Sequence, residues 1–154
     1  TGIDLSGVDL REAKLNGANL QGANLKSSNL SYAKLRGVSL AGADLTAANL
    51  TQASLDKADL HWANLSKADL SQANLTESSL LGVKIDGAEF TDVTLSEPDR
   101  QYLCLSARGT TRWNHKSTRM TLECPLNMDQ ESLNLDLSTT SSPDPNRSTE
   151  KNLA

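Results

Sequence analysis

Large apolar residues recur every five positions from Leu5 to Leu95, nineteen times without a slip. Seventeen of these slots hold Leu, and Ile85 and Phe90 fill the other two. Two residues before each sits a slim side chain: twelve Ala, four Val (8, 38, 83, 93), two Ser (28, 78) and Ile3. A period of five suits neither regular element. On an α-helix, residues five apart are rotated by roughly 140°, which would scatter the Leu side chains around the axis. On a strand, five is odd and successive Leu would alternate faces. The pattern therefore predicts an extended triplet, whose first and third residues point inward, followed by a two-residue corner that turns the next triplet inward again. Gly at the second corner position (Gly7, Gly17, Gly22, Gly37, Gly42, Gly82, Gly87) suits such a turn. Each unit buries its face only by stacking on others, and the product is a hollow coil filled with Leu and Ala.

The triplets Ala18-Asn19-Leu20, Ala23-Asn24-Leu25 and Ala58-Asp59-Leu60 with their corners resemble the pentapeptide-repeat proteins. That family's phrase is [S/T/A/V]-[D/N]-[L/F]-[S/T/R]-[G/X], and the resemblance covers residues 1–95. It implies an all-β solenoid, a right-handed quadrilateral β-helix, with a short α-helical C-terminal cap. At about twenty residues per coil and about 4.8 Å per layer, nineteen sides make a little under five coils and a column roughly 23 Å long.

With four sides, residues twenty apart stack. The position before Leu then forms four ladders: Asp4, Asn24, Asp44, Asn64, Lys84; Asp9, Asn29, Asn49, Asp69, Glu89; Lys14, Lys34, Ser54, Asn74, Thr94; and Asn19, Ser39, Asp59, Ser79. Most of this is expected to be solvated outer surface. Three features depart from it and are the candidate interaction surface. His61-Trp62 fills a corner whose stacked neighbours are Gln21-Gly22, Ala41-Gly42 and Leu81-Gly82. A Trp between glycine layers would lie across the column with one side exposed, and exposed aromatics are enriched at binding hot spots. The alternative is a lone aromatic packed on bare backbone. Tyr32 stands at a different corner, and Lys14 above Lys34 makes one ladder begin basic.

At residue 96 the composition changes. Ser96-Glu97-Pro98-Asp99 reads as a helix start, with Ser as N-cap, Pro in the first turn and acid near the positive helix end. A helix is predicted over roughly 98–108 with Gly109 as its stop, and a shorter turn or helix from Ser117 through Leu122, ended by Pro125. An open solenoid end exposes apolar surface and strand edges that need cover, so 96–125 is expected to be a lid over Phe90 and Leu95. This lid holds both cysteines, Cys104 and Cys124. They are either a staple or two thiols in a reducing compartment, and with no clustered His they do not suit zinc. The stretch from Tyr102-Leu103-Cys104 through Ala107-Arg108-Gly109 to Thr118-Arg119-Met120-Thr121-Leu122-Glu123-Cys124-Pro125 resembles the cap of lumenal pentapeptide-repeat proteins of cyanobacteria and chloroplasts. It departs in the middle, at Thr111–His115. That resemblance implies a Cys104–Cys124 disulfide and an exported setting, thylakoid lumen or periplasm, with the cytoplasm as the alternative. Residues 126–154 are polar and expected to be disordered, although Leu133, Leu135 and Leu137 alternate as a short strand would.

Composition changes this picture little. Only 3% of residues are aromatic, which suits a narrow coil. There is no apolar run of about 20 residues, hence no expected membrane span. The chain begins at Thr1 rather than Met, which leaves room for a signal or transit segment upstream. Residues 1–95 carry eight Asp and three Glu against six Lys and two Arg, a net −3. That is neither the basic clustering of a nucleic-acid binder nor a dense acidic column that mimics DNA. No nucleophile elbow, phosphate-binding glycine loop or metal-spaced cluster is present, so no enzyme activity, cofactor or metal is expected. The leading expectation is a structural or protein-interaction module, monomeric, with a protein partner. The alternative is a DNA-mimicking binder of a type II topoisomerase, as in another branch of the family.

Overall fold

The computed structural model describes residues 2–112 and 114–126. Thr1–Cys124 forms one unit and Pro125–Ala154 a second, of which Pro125 and Leu126 are described. The expected disorder of the tail and the strand at Leu133, Leu135 and Leu137 lie outside the described residues.

The chain from Ile3 to Leu95 winds as a right-handed, four-sided β-helix. Its period is set by parallel bridges between residues twenty apart, from Asp4–Asn24 to Asn74–Thr94. Each strand is a single bridge residue, as expected for a triplet between corners. Every backbone N–H of the five-residue unit has a defined partner. In the unit around Leu45, Asp44 N–H donates to Ala23 of the coil before (2.9 Å) and Leu45 N–H to Asn64 of the coil after (2.8 Å). Ala48 N–H closes the corner on Leu45 (3.0 Å), and the second corner residue, Ala47, donates to Ser66 of the coil after (2.9 Å). The remaining donor, the first corner N–H of Thr46, goes to the Asp44 side chain (3.0 Å).

That last bond explains the Asp or Asn of the phrase. Eleven corners repeat it, including Ser6 to Asp4, Lys26 to Asn24, Thr51 to Asn49, Ser66 to Asn64 and Thr76 to Asn74. These Asx turns mimic a backbone turn with a side-chain acceptor. The sequence reading treated the ladders only as solvated surface; the structure makes most of them corner acceptors. Ser6 N–H accordingly holds Asp4 below the usual carboxylate range.

The second corner residue lies in the left-handed region at every corner from Gly7 to Asp92. Seven of these are Gly and eleven are not, among them Tyr32 (φ 61°), Ala47 (59°) and Trp62 (59°). A non-Gly residue there costs on the order of 1 kcal/mol. The bonds to the coils on either side, such as Ala47 N–H to the Ser66 carbonyl and Ser27 N–H to the Thr46 carbonyl (both 2.9 Å), hold it in place.

The interior is dry and apolar. From Leu25 to Leu75 every inward Leu is at most 1% exposed, and the Ala two residues earlier is equally buried. The two inward serines satisfy themselves, Ser28 Oγ donating to the Leu25 carbonyl and Ser78 Oγ to that of Leu55, both at 2.8 Å. Burial fades toward the first coil, where Ile3 is 57% and Val8 39% exposed.

At the other end a cap replaces the next coil. Helix α1 spans Glu97–Ser106 and α2 Thr118–Thr121. The predicted helix was 98–108, and its end differs for a physical reason. Ala107 leaves α1 in an extended conformation, because the chain must re-enter the coil path. Gly109 is therefore not a helix stop. It packs on Gly87, where a Cβ would stand 2.9 Å from the Gly87 nitrogen. Ser96 caps α1 through Asp99 N–H (3.2 Å) and Ser117 caps α2 through Met120 N–H (3.2 Å). The cap meets the last coil's open donors with surrogate acceptors: Gly87 N–H finds Arg108 O (2.8 Å), Phe90 N–H finds Thr121 Oγ1 (3.1 Å) and Gly82 N–H finds Tyr102 Oη (3.0 Å). Leu103 and Cys104 are buried, and Phe90 is 1% exposed beneath them. Cys104 and Cys124 are joined by a disulfide with Cα atoms 5.6 Å apart. Closing a loop of this size contributes about 3 kcal/mol. Arg119 and Arg100 tie the same layer by donating to Cys104 O and Leu122 O, both at 2.7 Å.

If the Asx acceptor supports each corner, Asn74→Ala should lower stability in urea by about 1 kcal/mol, while Asn74→Asp, which keeps the acceptor for Thr76, should lie within a few tenths of the parent. Equal losses for both variants would assign the effect to something other than the corner bond.

Candidate interaction surface

Four-sided winding separates the candidate residues into two groups. Lys14, Lys34 and Tyr32 lie along one side and its leading corner. His61 and Trp62 lie at the diagonally opposite corner, which the chain reaches ten residues, or two sides, later in each coil.

The Trp62 corner is built on a missing side chain. The indole lies on Gly82 of the next coil, where a Cβ would fall 2.2 Å from the ring. Toward Gly42 of the coil before, a Cβ would meet nothing within 4 Å. The ring is therefore not sandwiched between two glycine layers, as the sequence suggested, but leans toward the cap. Its other face is open, and Trp62 is 68% exposed. Gly82 N–H also donates to Tyr102 Oη of α1, so indole and phenol converge on one residue. Leu81 is exposed beside them, and a small cleft of about 190 Å³ lies between Leu80, Leu81, Asp99 and Tyr102. Sequence reading missed the participation of Tyr102 and Leu81. Residue 102 stands twenty on from Gly82, the coil period, and that spacing could have revealed it.

His61 does not face a ligand set. Its Nδ1–H donates to Asp59 Oδ1 at 2.6 Å, and its backbone N–H to the same oxygen at 3.1 Å. The ring N–H first, and the backbone N–H second, hold Asp59 below the ordinary carboxylate range. The pair orients His61 beside Trp62. No group of three or more potential metal ligands occurs among the described residues.

At the other group, Lys14 and Lys34 occupy bridged positions on successive coils and both are exposed. With Glu12 and Tyr32 they line a groove of about 400 Å³. Tyr32 is 53% exposed, and Gln52 Nε2 donates to its hydroxyl at 3.4 Å. Nearby cations are engaged elsewhere, Arg11 with Asp9 at 2.7 Å and Arg36 with Asp56 at 3.2 Å.

A third feature was invisible in the sequence. Glu89, in the second ladder, is 2% exposed because the cap covers it. Its carboxylate accepts from Thr91 N–H (3.1 Å), the Thr91 hydroxyl and Asn114 Nδ2 (2.8 Å). It fastens the cap's connecting segment to the last coil.

A column filled with Leu and Ala and capped at one end is a solenoid scaffold. The model of pentapeptide repeats matches at residues 3–42, 33–72 and 53–92, in eight copies, and the chain belongs to the pentapeptide-repeat family. The crystal structure of a pentapeptide-repeat protein from the Arabidopsis thaliana thylakoid lumen is similar at 37% identity with a TM-score of 0.78, over 82% of this chain and 88% of that one. Repeats end at residue 95 of 154, so this likeness extends past them into the cap. A pentapeptide-repeat protein, Rfr23, from the cyanobacterium Cyanothece 51142 is 34% identical over 58% of this chain and 61% of its own, with a TM-score of 0.30. QnrB1, a plasmid-mediated fluoroquinolone resistance protein, is 16% identical over 65% and 81%, with a TM-score of 0.29. At such scores the last two lend nothing to the reading of this chain. No curated protein sequence matches it significantly.

Two outcomes test this surface. Gly82→Ala places a methyl into the Trp62 ring and keeps a positive φ, so it should lower the melting temperature and shift Trp62 emission in a Trp113→Phe background; unchanged emission would mean the indole does not rest on Gly82. Asp59 carries a depressed pKa, so its contribution is present above the ordinary value of 3.8 and is lost as pH falls through the lower folded value. The small stability advantage of the parent over Asp59→Asn, modest because the pair is about half exposed, should vanish in acid denaturation below that value.

Proposed function

We propose that this chain is a non-enzymatic protein-interaction module of an oxidising compartment, a thylakoid lumen or a periplasm. Residues 1–95 are the rigid scaffold, 96–125 the stapled cap and 126–154 a separate tail. The observation that carries the reading is the exposed Trp62 held on Gly82. A large apolar ring whose outer face is open to solvent, on a backbone fixed by ladder bonds, is preorganised for a partner at little entropic cost. His61 is positioned beside it by Asp59, while Tyr32, Lys14 and Lys34 form the second contact surface. The module works as a monomer. Export is supported by the disulfide and by the likeness to a thylakoid-lumen protein. No helix among the described residues is long and apolar enough to cross a membrane.

The topoisomerase alternative is the weaker of the two. A solenoid of net −3 with stacked lysines on one side lacks the continuous acidic surface that DNA mimicry requires.

Photo-cross-linking from position 62 in cells should give discrete adducts to another protein, and position 67, an exposed corner on an edge away from both surfaces, should give none. Adducts equal at both positions, or absent from both, would overturn the reading. In the same cells Cys104 and Cys124 should resist maleimide until reductant is added, and free thiols would remove the exported setting. Purified protein should leave gyrase supercoiling unchanged.

A further inference from the structure

The Asx acceptors make the basic ladder conspicuous. Lys14 and Lys34 fill two slots in which eleven other units place Asp or Asn to hold the corner. A lysine has no acceptor to offer. At the corner after Lys34 the Arg36 N–H turns instead to Asn16 Oδ1 of the preceding coil (3.0 Å). The two lysines are also bridged neighbours, and like charges directly opposite in a sheet repel. Neither forms an ion pair among the described residues; of the column's other cations Arg11, Lys26, Arg36 and Lys57 do and Lys67 and Lys84 do not. Ser39, Ser54, Ser79, Lys84 and Thr94 also forgo an Asp or Asn acceptor. Among these slots only Lys14 and Lys34 set like charges on adjacent rungs with no structural gain, which marks the pair for a role outside the fold.

We propose that this side of the first two coils docks an extended acidic segment of a partner protein. The claim rests on the interaction-module reading above and names the partner's chemistry for its second surface. The groove of about 400 Å³ is open, with Glu12, Lys14, Tyr32 and Lys34 at its walls. The lysine stems and the Tyr32 ring give it apolar sides, and two ammonium groups supply charge at one edge. Carboxylates on an extended chain match this, since their side chains repeat on one face at about the spacing that flexible lysines on adjacent rungs can follow. A small anion finds no enclosed donor here, and each exposed pair is weak, so binding requires several contacts along a chain. Nucleic acid is disfavoured because Asp4, Asp9 and Glu12 share the coil of Lys14 and confine the positive charge to two lysines, too narrow a basic surface to neutralise a run of phosphates. Below Lys34 the ladder turns neutral at Ser54, Asn74 and Thr94, which confines the charge to the first two coils.

The test uses the full chain and a fluorescein-labelled peptide of alternating Glu and Thr, read by anisotropy at low and at physiological ionic strength. Lys14→Asn with Lys34→Asn supplies the acceptor missing at the Asn16 corner and a second one for Arg36 N–H, which Asn16 Oδ1 already accepts. The variant should therefore melt no lower than the parent and yet bind at least about tenfold more weakly. Lys67→Asn with Lys84→Asn removes the same charge elsewhere, and its affinity should stay within about twofold of the parent. Added salt should weaken the parent's binding. Equal losses in both double variants would reduce the effect to net charge and overturn the proposal. So would absence of binding by the parent, or preferential displacement of the peptide by a single-stranded oligonucleotide or by anionic vesicles. Any of these failures alongside persisting adducts from position 62 would remove this surface alone and leave the interaction-module reading standing.

Discussion

One backbone donor per unit governs the phrase. Of the five N–H groups in each pentapeptide, four are satisfied by backbone carbonyls of the same unit or the coils above and below. The fifth, at the first corner position, takes a side-chain acceptor, two residues back at most corners and twenty back where Asn16 Oδ1 receives Arg36 N–H. Asp and Asn reach it; Lys, Ser and Thr do not make this bond here. The polar half of the repeat is thus as structural as the Leu half. A buried or half-buried N–H left open costs on the order of 1–3 kcal/mol, a large fraction of a domain's net stability when repeated.

The same accounting explains the cap. A coil with nothing beyond it leaves its outward donors open, and the cap supplies oxygens at three of them from unlike sources: a carbonyl of Arg108, a hydroxyl of Thr121 and the phenol of Tyr102. These groups must be held in register with the coil period, although α1 and α2 have a different geometry. The disulfide, the Arg119 bond to Cys104 O and the Glu89 bond to Asn114 fix that register from three directions. Glycines recur at this junction for a spatial reason. A Cβ on Gly109 would stand 2.9 Å from the Gly87 nitrogen, and one on Gly87 2.9 Å from the Thr110 carbonyl oxygen.

Most of this architecture was legible because a strict period constrains every residue at once. The nineteen inward Leu-type slots, the position of the lid, the N-cap at Ser96 and the pairing of Cys104 with Cys124 all follow from the pattern or from the resemblance it carries. What escaped reading depended on distant residues or on backbone geometry. Ser106 ends α1 because the chain must rejoin the coil at Gly87, which no local signal announces. Glycine marks only some corners, yet Tyr32, Ala47 and Trp62 share its left-handed conformation, since ladder bonds override the preference of the residue. Glu89 reads as one more ladder carboxylate until Asn114, twenty-five residues on, is seen to cover it.

In so regular a chain, a departure is informative only after its structural cause has been sought. The Gly82 position has such a cause, since the Trp62 ring occupies the space of its Cβ. Trp62 itself does not, because nothing in the column needs an indole there and its outer face is unsatisfied. His61 is half explained, as Asp59 would accept from its backbone N–H whatever the side chain. Lys14 and Lys34 have no structural cause at all: they forgo the corner bond, oppose one another and form no ion pair among the described residues. Single lysines such as Lys84 forgo the same bond, but without a like charge on the adjacent rung. Ordered this way, the residues least required by the fold are those with the strongest claim to a partner. They sit at two diagonal edges of the column, where one protein could engage either edge without touching the other.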